Sequence, residues 1–257
     1  FFFHPHPANP DPLWSRGLGD VYKRQVWDCP WFTHKFPALE VEKLRNHAIE
    51  VNKKWSKKLG VNPSTAITCI KPSGTVSQLV NSSSGCHPRH SFWYIRRVRN
   101  DTKDPLAKIM IEAGVPYEVD KLNSEAYVFS FPMRSPPRAF TRHDIDPEMQ
   151  LQMWSLLAKH WCEHKPSMTC YMPEDQWPFV GSWIWENWDM VNGISFLPSA
   201  DEGHVYEQAP YEDIDEKTYK QMMARMPKSI DWSSIIEETD NTTASQEVAC
   251  TAGECEL

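Results

Sequence analysis

The sequence predicts an α/β fold, and three features carry that expectation. Residues 166–172, 177–190 and 193–197 run as apolar strand, helix-length segment and apolar strand, the pattern of a βαβ unit whose right-handed crossover makes a parallel pair. Residues 65–70 form a compact apolar and β-branched run between Pro63 and Pro72, the mark of a buried strand, and pass through a small-residue turn into a short helix from Val76. The third feature is a repeated Asp-Pro, at Asp104–Pro105 and Asp146–Pro147, ahead of segments with helical apolar spacing. Aspartate supplies an N-cap acceptor there, and proline a φ already set for the first helical position.

Taken in order, residues 1–25 stand apart. They show no periodic apolar face, and no basic region followed by an apolar run and a small-residue cleavage site, so they are not a secretory signal. They read as a leader outside the fold, either a translated assembly scar or a disordered N-terminus. Over residues 38–59, Val41, Leu44, Ala48, Val51 and Trp55 recur at helical spacing, Gly60 stands where a left-handed cap belongs, and Lys53, Lys54, Lys57 and Lys58 complement the helix dipole. Residues 91–99 and 127–133 read as strands, the second stopped by Pro136 and Pro137. Between them Leu106, Ile109, Met110 and Ala113 line one face of a helix closed by Gly114.

The helix entered at Pro147 carries Met149, Met153, Trp154, Leu157 and Trp161 as its stripe, and the Trp-rich segment 177–190, with Trp183, Trp185 and Trp188, is expected to bury a broad face. A last helix over residues 214–226 begins near Asp215 and stops before Pro227. Beyond Trp232 the chain turns polar, so residues 237–257 read as a flexible arm and residues 26–236 as the folded body.

A chain of 257 residues can bury a substantial core. Its net charge of -7 argues against a general nucleic-acid binder, which needs a basic surface. No apolar run approaches the roughly 20 residues of a membrane span. Seven cysteines without a secretory signal point to a reducing, cytoplasmic setting.

Four clusters bear on chemistry. The turn Pro72-Ser73-Gly74-Thr75 offers backbone amides, two hydroxyls and the start of a helix, which suits a phosphate; it also serves as an ordinary cap and turn. Lys71 precedes the glycine and Walker spacing is missing, which argues against a P-loop NTPase. Arg96, Arg97 and Arg99 could reach an anion, although ion pairs suit at least two of them. No metal is assigned: His160, Cys162 and His164 diverge around a helix, and Cys86, His87 and His90 have no second cluster to complete a tetrahedral set. Cys250 and Cys255 lie in the terminal arm, where they read equally as thiol–disulfide exchange partners or as unreactive thiols.

Read whole, TAITCIKPSGTVSQLVNSSSGCHPRHS at residues 65–91 resembles the phosphate-binding loop of the adenosylcobalamin-dependent (class II) ribonucleotide reductases. SFWYIRRVR, DPLAKIMIEAG, PSMTCY, GISFLP, VYEQAPYE and the ending ACTAGECEL resemble the same family in the same order, so the likeness spans residues 27–257. It implies the C-terminal part of a ten-stranded α/β barrel of the ribonucleotide reductase and glycyl radical enzyme type. It implies conversion of ribonucleoside triphosphates, with diphosphates as the alternative, to 2′-deoxynucleotides by thiyl radical chemistry initiated by adenosylcobalamin.

In that family's terms, Ser73, Gly74 and Thr75, with Ser77, contact the substrate phosphates. Cys250 and Cys255 re-reduce the active-site disulfide and are themselves reduced by thioredoxin or a similar dithiol. The likeness further implies a monomer with no direct nucleic-acid partner. The family's NPCxE finger loop is not found, and Cys29 in WDCPW lacks both its asparagine and its glutamate, so the thiyl cysteine and the corrin contacts are left unassigned. The chain alone is therefore expected to be inactive. A non-catalytic nucleotide-binding module and a thiol–disulfide exchange protein are the rival readings.

Overall fold

Helices form where the local signals are complete. The structure, a computed structural model, describes residues 26–28, 38–73, 76–137, 139–198 and 207–235. Its helices are α1 (Ala38–Leu59), α2 (Val76–Leu79), α3 (Pro105–Glu112), α4 (Pro147–His160), α5 (Trp177–Glu186) and α6 (Glu216–Arg225). The expected caps are in place: the carboxylates of Asp104, Asp146 and Asp215 accept from the amides of Leu106, Met149 and Thr218 at 2.8, 2.7 and 2.7 Å.

The strands are β1 (Trp93–Asp101), β2 (Tyr117–Val119), β3 (Ala126–Arg134), β4 (Met168–Met172), β5 (Ile194–Pro198) and β6 (Tyr211–Asp213). β4 and β5 pair in parallel from Met168↔Ile194 to Met172↔Pro198, with α5 between them, as a βαβ unit requires. The larger sheet is antiparallel, in the order β2-β3-β1-β6, with β1 and β3 in register from Trp93↔Arg134 to Asp101↔Ala126. The fold is thus mixed α/β, with its antiparallel sheet the larger of the two.

The main core gathers on α4. Leu151, Met153, Trp154 and Leu157 pack with Trp27, Ile70, Met168, Cys170, Met172 and Val180. A smaller cluster joins α3 to the sheet through Ala107, Val115 and Phe129.

Three expectations need correction. Residues 65–70 are extended but join no ladder; instead the Glu163 carboxylate accepts the amides of Ile67 and Thr68 at 2.8 and 3.1 Å, and the Thr68 hydroxyl donates to the Trp161 carbonyl at 2.6 Å. The Glu163 carboxylate, with the Glu163 and Ser167 amides that donate to the Thr68 and Ile70 carbonyls at 2.8 and 3.4 Å, does there what a neighbouring strand would do, which apolar patterning cannot foresee. The Trp-rich helix ends at Glu186, and Trp185 and Trp188 are 80% and 70% exposed rather than buried. On α1 only Val41 of the predicted stripe enters the core, while Leu44, Val51 and Trp55 face outward; on α3 Ala107 takes the buried place, and Leu106 is exposed. Among the described residues no helix is long and apolar enough to cross a membrane.

Candidate functional site: the serine-braced turn

The extended segment delivers the chain to the turn through Lys71, whose Nζ donates to the Lys165 carbonyl at 2.6 Å and to Ser167 Oγ at 3.1 Å. The cation is thereby held by the loop leading into β4. Ser73 then caps α2: its Oγ accepts the Ser77 amide at 2.9 Å, and the Ser77 hydroxyl donates back to the Ser73 carbonyl at 3.1 Å. The sequence led us to expect free amides at this turn, but the Ser73 amide donates to Ser84 Oγ at 2.7 Å, and that hydroxyl donates to the Ser73 carbonyl at 3.0 Å. Ser73 and Ser77 are brought together and both are buried. Gly74, Thr75, Cys29, Cys250, Cys255 and the expected leader and arm at residues 1–25 and 237–257 lie outside the described residues.

The turn is braced by the loop over residues 81–90, which folds back on it because Gly85 adopts a left-handed φ of +58°. A Cβ at Gly85 would stand 3.0 Å from the Lys71 carbonyl oxygen, so the loop packs directly on the backbone entering the turn. Arg89 ties the loop to the Val26–Asp28 turn. Its Nε and Nη2 reach the two oxygens of Asp28 at 3.0 and 2.9 Å, its Nη1 reaches Asn81 Oδ1 at 2.8 Å, and Nη2 also meets the Asn81 carbonyl. Asp28 accepts the Ser83 amide at 2.8 Å, and the Trp27 indole donates to the Cys86 carbonyl at 2.8 Å. His87 is bonded at both ring nitrogens, to the Ser84 carbonyl and the Thr169 amide, each at 2.9 Å. Burial lowers the His87 pKa and pushes the Cys86 thiol well up.

Sequence reasoning missed Asp28, Ser84, His87 and Arg89 as a framework. CHPRH was read as part of the stretch resembling the phosphate loop and as a source of metal ligands, not as a brace, and the arginine between its histidines was the available signal. Among the described residues no group of His, Cys, Asp and Glu is arranged to hold a metal ion.

Beyond α2 lies a second polar layer. Gln78 donates to the Tyr211 hydroxyl at 3.2 Å and accepts from the Tyr94 hydroxyl at 2.9 Å, and burial raises the Tyr94 pKa to about 12. Arg97 and Arg99 make ion pairs with Glu212 and Asp120, as expected for two of the three arginines, while Arg96 stacks over the Tyr211 ring at 4.7 Å. Asp213 faces His90, His143 and Arg142 at 2.9, 2.7 and 3.2 Å. The His90 Nε2 contact is not a well-aligned hydrogen bond, and burial lowers the His90 pKa. Burial raises the Asp213 carboxyl, but His90, Arg142 and His143 outweigh it and hold the group well below the usual carboxylate range.

The hollow along α6 does not fit a corrin. The open hollow along α6 is lined by Asp215, Glu216, Lys217, Lys220, Gln221 and Ala224, a charged surface unsuited to a large apolar-faced ring.

No family model matches the chain. The chain is 34% identical over 188 residues to a Dictyostelium discoideum protein named probable adenosylcobalamin-dependent ribonucleoside-triphosphate reductase, a match covering 72% of this chain and 25% of the relative. It is 26% identical over 225 residues to the adenosylcobalamin-dependent ribonucleoside-triphosphate reductase of Lacticaseibacillus paracasei, covering 84% of this chain and 30% of that one. The fold is similar to a crystal structure of a B12-dependent (class II) ribonucleotide reductase, with a TM-score of 0.65 and 26% identity over 76% of this chain and 28% of that chain. The chain therefore spans between a quarter and a third of the length of these relatives. In sequence and in fold alike, the chain belongs to the adenosylcobalamin-dependent (class II) ribonucleotide reductase family.

Proposed function

We propose that the chain is the C-terminal part of an adenosylcobalamin-dependent ribonucleoside-triphosphate reductase that works as a cytoplasmic monomer. In this reading it contributes the later strands of a ten-stranded α/β barrel and holds the substrate phosphates at Ser73, Gly74 and Thr75, with Ser77 alongside. One observation carries the reading: a match over 84% of the chain is too long to leave out residues 73–77, and that same turn is cross-braced by Ser77 and Ser84. Ser73, whose backbone amide and carbonyl are both held by Ser84, needs little reordering to offer its hydroxyl proton to a phosphate oxygen.

In the complete enzyme the cofactor supplies the radical start of the chemistry. This chain's own part is to position the nucleotide and to supply electrons. The thiols of Cys250 and Cys255 reduce the active-site disulfide to two thiols, become a disulfide themselves, and are returned to thiols by thioredoxin or a similar dithiol.

Calorimetric titration of the chain with ATP tests the phosphate assignment. The wild type is expected to bind, and Thr75→Val to bind about tenfold more weakly for loss of one hydrogen bond to a charged group. Absence of binding, or equal binding by the variant, overturns it. The chain incubated with ATP, adenosylcobalamin and dithiothreitol is expected to form no deoxynucleotide; product formation would refute its assignment as one part of the catalytic unit.

A further inference from the structure

The brace on the Ser73 turn extends beyond the loop that makes it. Thr169, in β4, donates its amide to His87 Nε2 at 2.9 Å, and His87 Nδ1 lies 2.9 Å from the Ser84 carbonyl. An imidazole can accept at Nε2 and donate at Nδ1 only as the neutral Nδ1–H tautomer. Ser84 then grips Ser73 through one hydroxyl that accepts from its amide at 2.7 Å and donates to its carbonyl at 3.0 Å. A continuous chain of hydrogen bonds thus runs from the backbone of β4, through His87 and Ser84, to the backbone of Ser73.

We propose that His87 and Ser84 are positioning residues for the phosphate turn, with neutral His87 anchoring the loop to β4 and Ser84 passing that anchorage to Ser73. The inference rests on the phosphate reading above for its functional consequence. Neither residue needs to touch a nucleotide.

The test uses the full chain and two independent readouts. The first is amide exchange at Ser73 with the His87 tautomer read from long-range proton–nitrogen NMR. His87 is expected to be the Nδ1–H form, and Ser73 exchange to accelerate about tenfold in Ser84→Ala and in His87→Ala. Unchanged exchange, or an Nε2–H tautomer, overturns the proposal whatever the ligand does. The second readout is ATP affinity by calorimetry. His87→Ala and Ser84→Ala are each expected to weaken binding about tenfold, and His87→Gln, whose amide oxygen can take the Nε2 position and accept from Thr169, to recover most of that loss.

Val180→Ala, a cavity in α5 at a residue 1% exposed, controls for general destabilisation and should leave affinity unchanged. If Val180→Ala weakens ATP as much as His87→Ala does, or His87→Ala binds as the wild type does, the positioning role is refuted. Failure of the wild type to bind ATP removes the phosphate reading alone, and the exchange and tautomer data then decide whether the brace exists.

Discussion

Substituting Gly85 by alanine probes how closely the 81–90 loop sits on the turn. Two costs are separable. Gly85 has φ +58°, where an L-residue carries about 1 kcal/mol of backbone strain. The added Cβ would also stand 3.0, 3.2 and 3.3 Å from the Lys71 oxygen, the Lys71 carbonyl carbon and the Pro72 nitrogen, all backbone atoms that yield only if the segment moves. Overpacking of this order adds about 1 kcal/mol, for a total near 2 kcal/mol, or about thirtyfold in the folded-to-unfolded ratio.

Gly60 supplies the control, because its φ of +70° carries the same backbone term while nothing lies within 4 Å of the added carbon. Urea unfolding followed by tryptophan fluorescence should therefore place Gly85→Ala about 1 kcal/mol below Gly60→Ala at equal m-values. Equal losses in the two variants would mean that the loop is not seated on the Lys71 carbonyl, and the picture of a braced turn would fall with it.

Three further outcomes are expected. Arg89→Ala strands a carboxylate whose partner side chain is only 3% exposed, and should cost about 3–5 kcal/mol in urea unfolding; Arg89→Lys, lacking the fork, should recover under half of that, and full recovery would show that charge alone matters. Asp213 has a folded-state pKa below its unfolded value, so its contribution is complete above about pH 4 and is lost as pH falls toward the folded value. Asp213→Asn should therefore flatten the acid limb of stability against pH, and an unchanged limb refutes the assignment. Trp185→Ser should change stability by less than about 0.5 kcal/mol, since the ring is largely exposed, and a larger loss would show that the ring is covered.

What could be read from sequence was local. Asp104, Asp146 and Asp215 each announce a helix within three residues of the amide they cap, and Gly60 and Gly114 close helices with left-handed φ values of +70° and +85°. The parallel β4–β5 pair was legible because α5 between them leaves little topological choice. The three-residue strands β2 and β6 were not, because three residues hold no period, and they exist by pairing with the edges of β3 and β1. Residues 65–70 misled because the carboxylate of Glu163, 95 residues from Thr68, and the amides of Glu163 and Ser167 stand in for a ladder. The site was half legible: PSGT marked Ser73 and the helix start after it Ser77, but Asp28, Ser84, His87 and Arg89 matter through contacts that no short motif contains.

Those distant contacts bear on the order in which the chain folds. The cap of α4 spans three residues, whereas the turn's braces close separations of 59 residues from Trp27 to Cys86, 61 from Asp28 to Arg89, 82 from His87 to Thr169 and 94 from Lys71 to Lys165. Each such closure gives up chain entropy before any contact returns it, so local helices assemble first and widely separated pairings follow. During synthesis the Ser73–Ser77 and Ser73–Ser84 bonds, 4 and 11 residues apart, can close early, while the ties to Lys165 and Thr169 wait until β4 has been made. The setting of Ser73 is thus acquired in two stages, the near contacts first and the distant ones once the chain has passed residue 169.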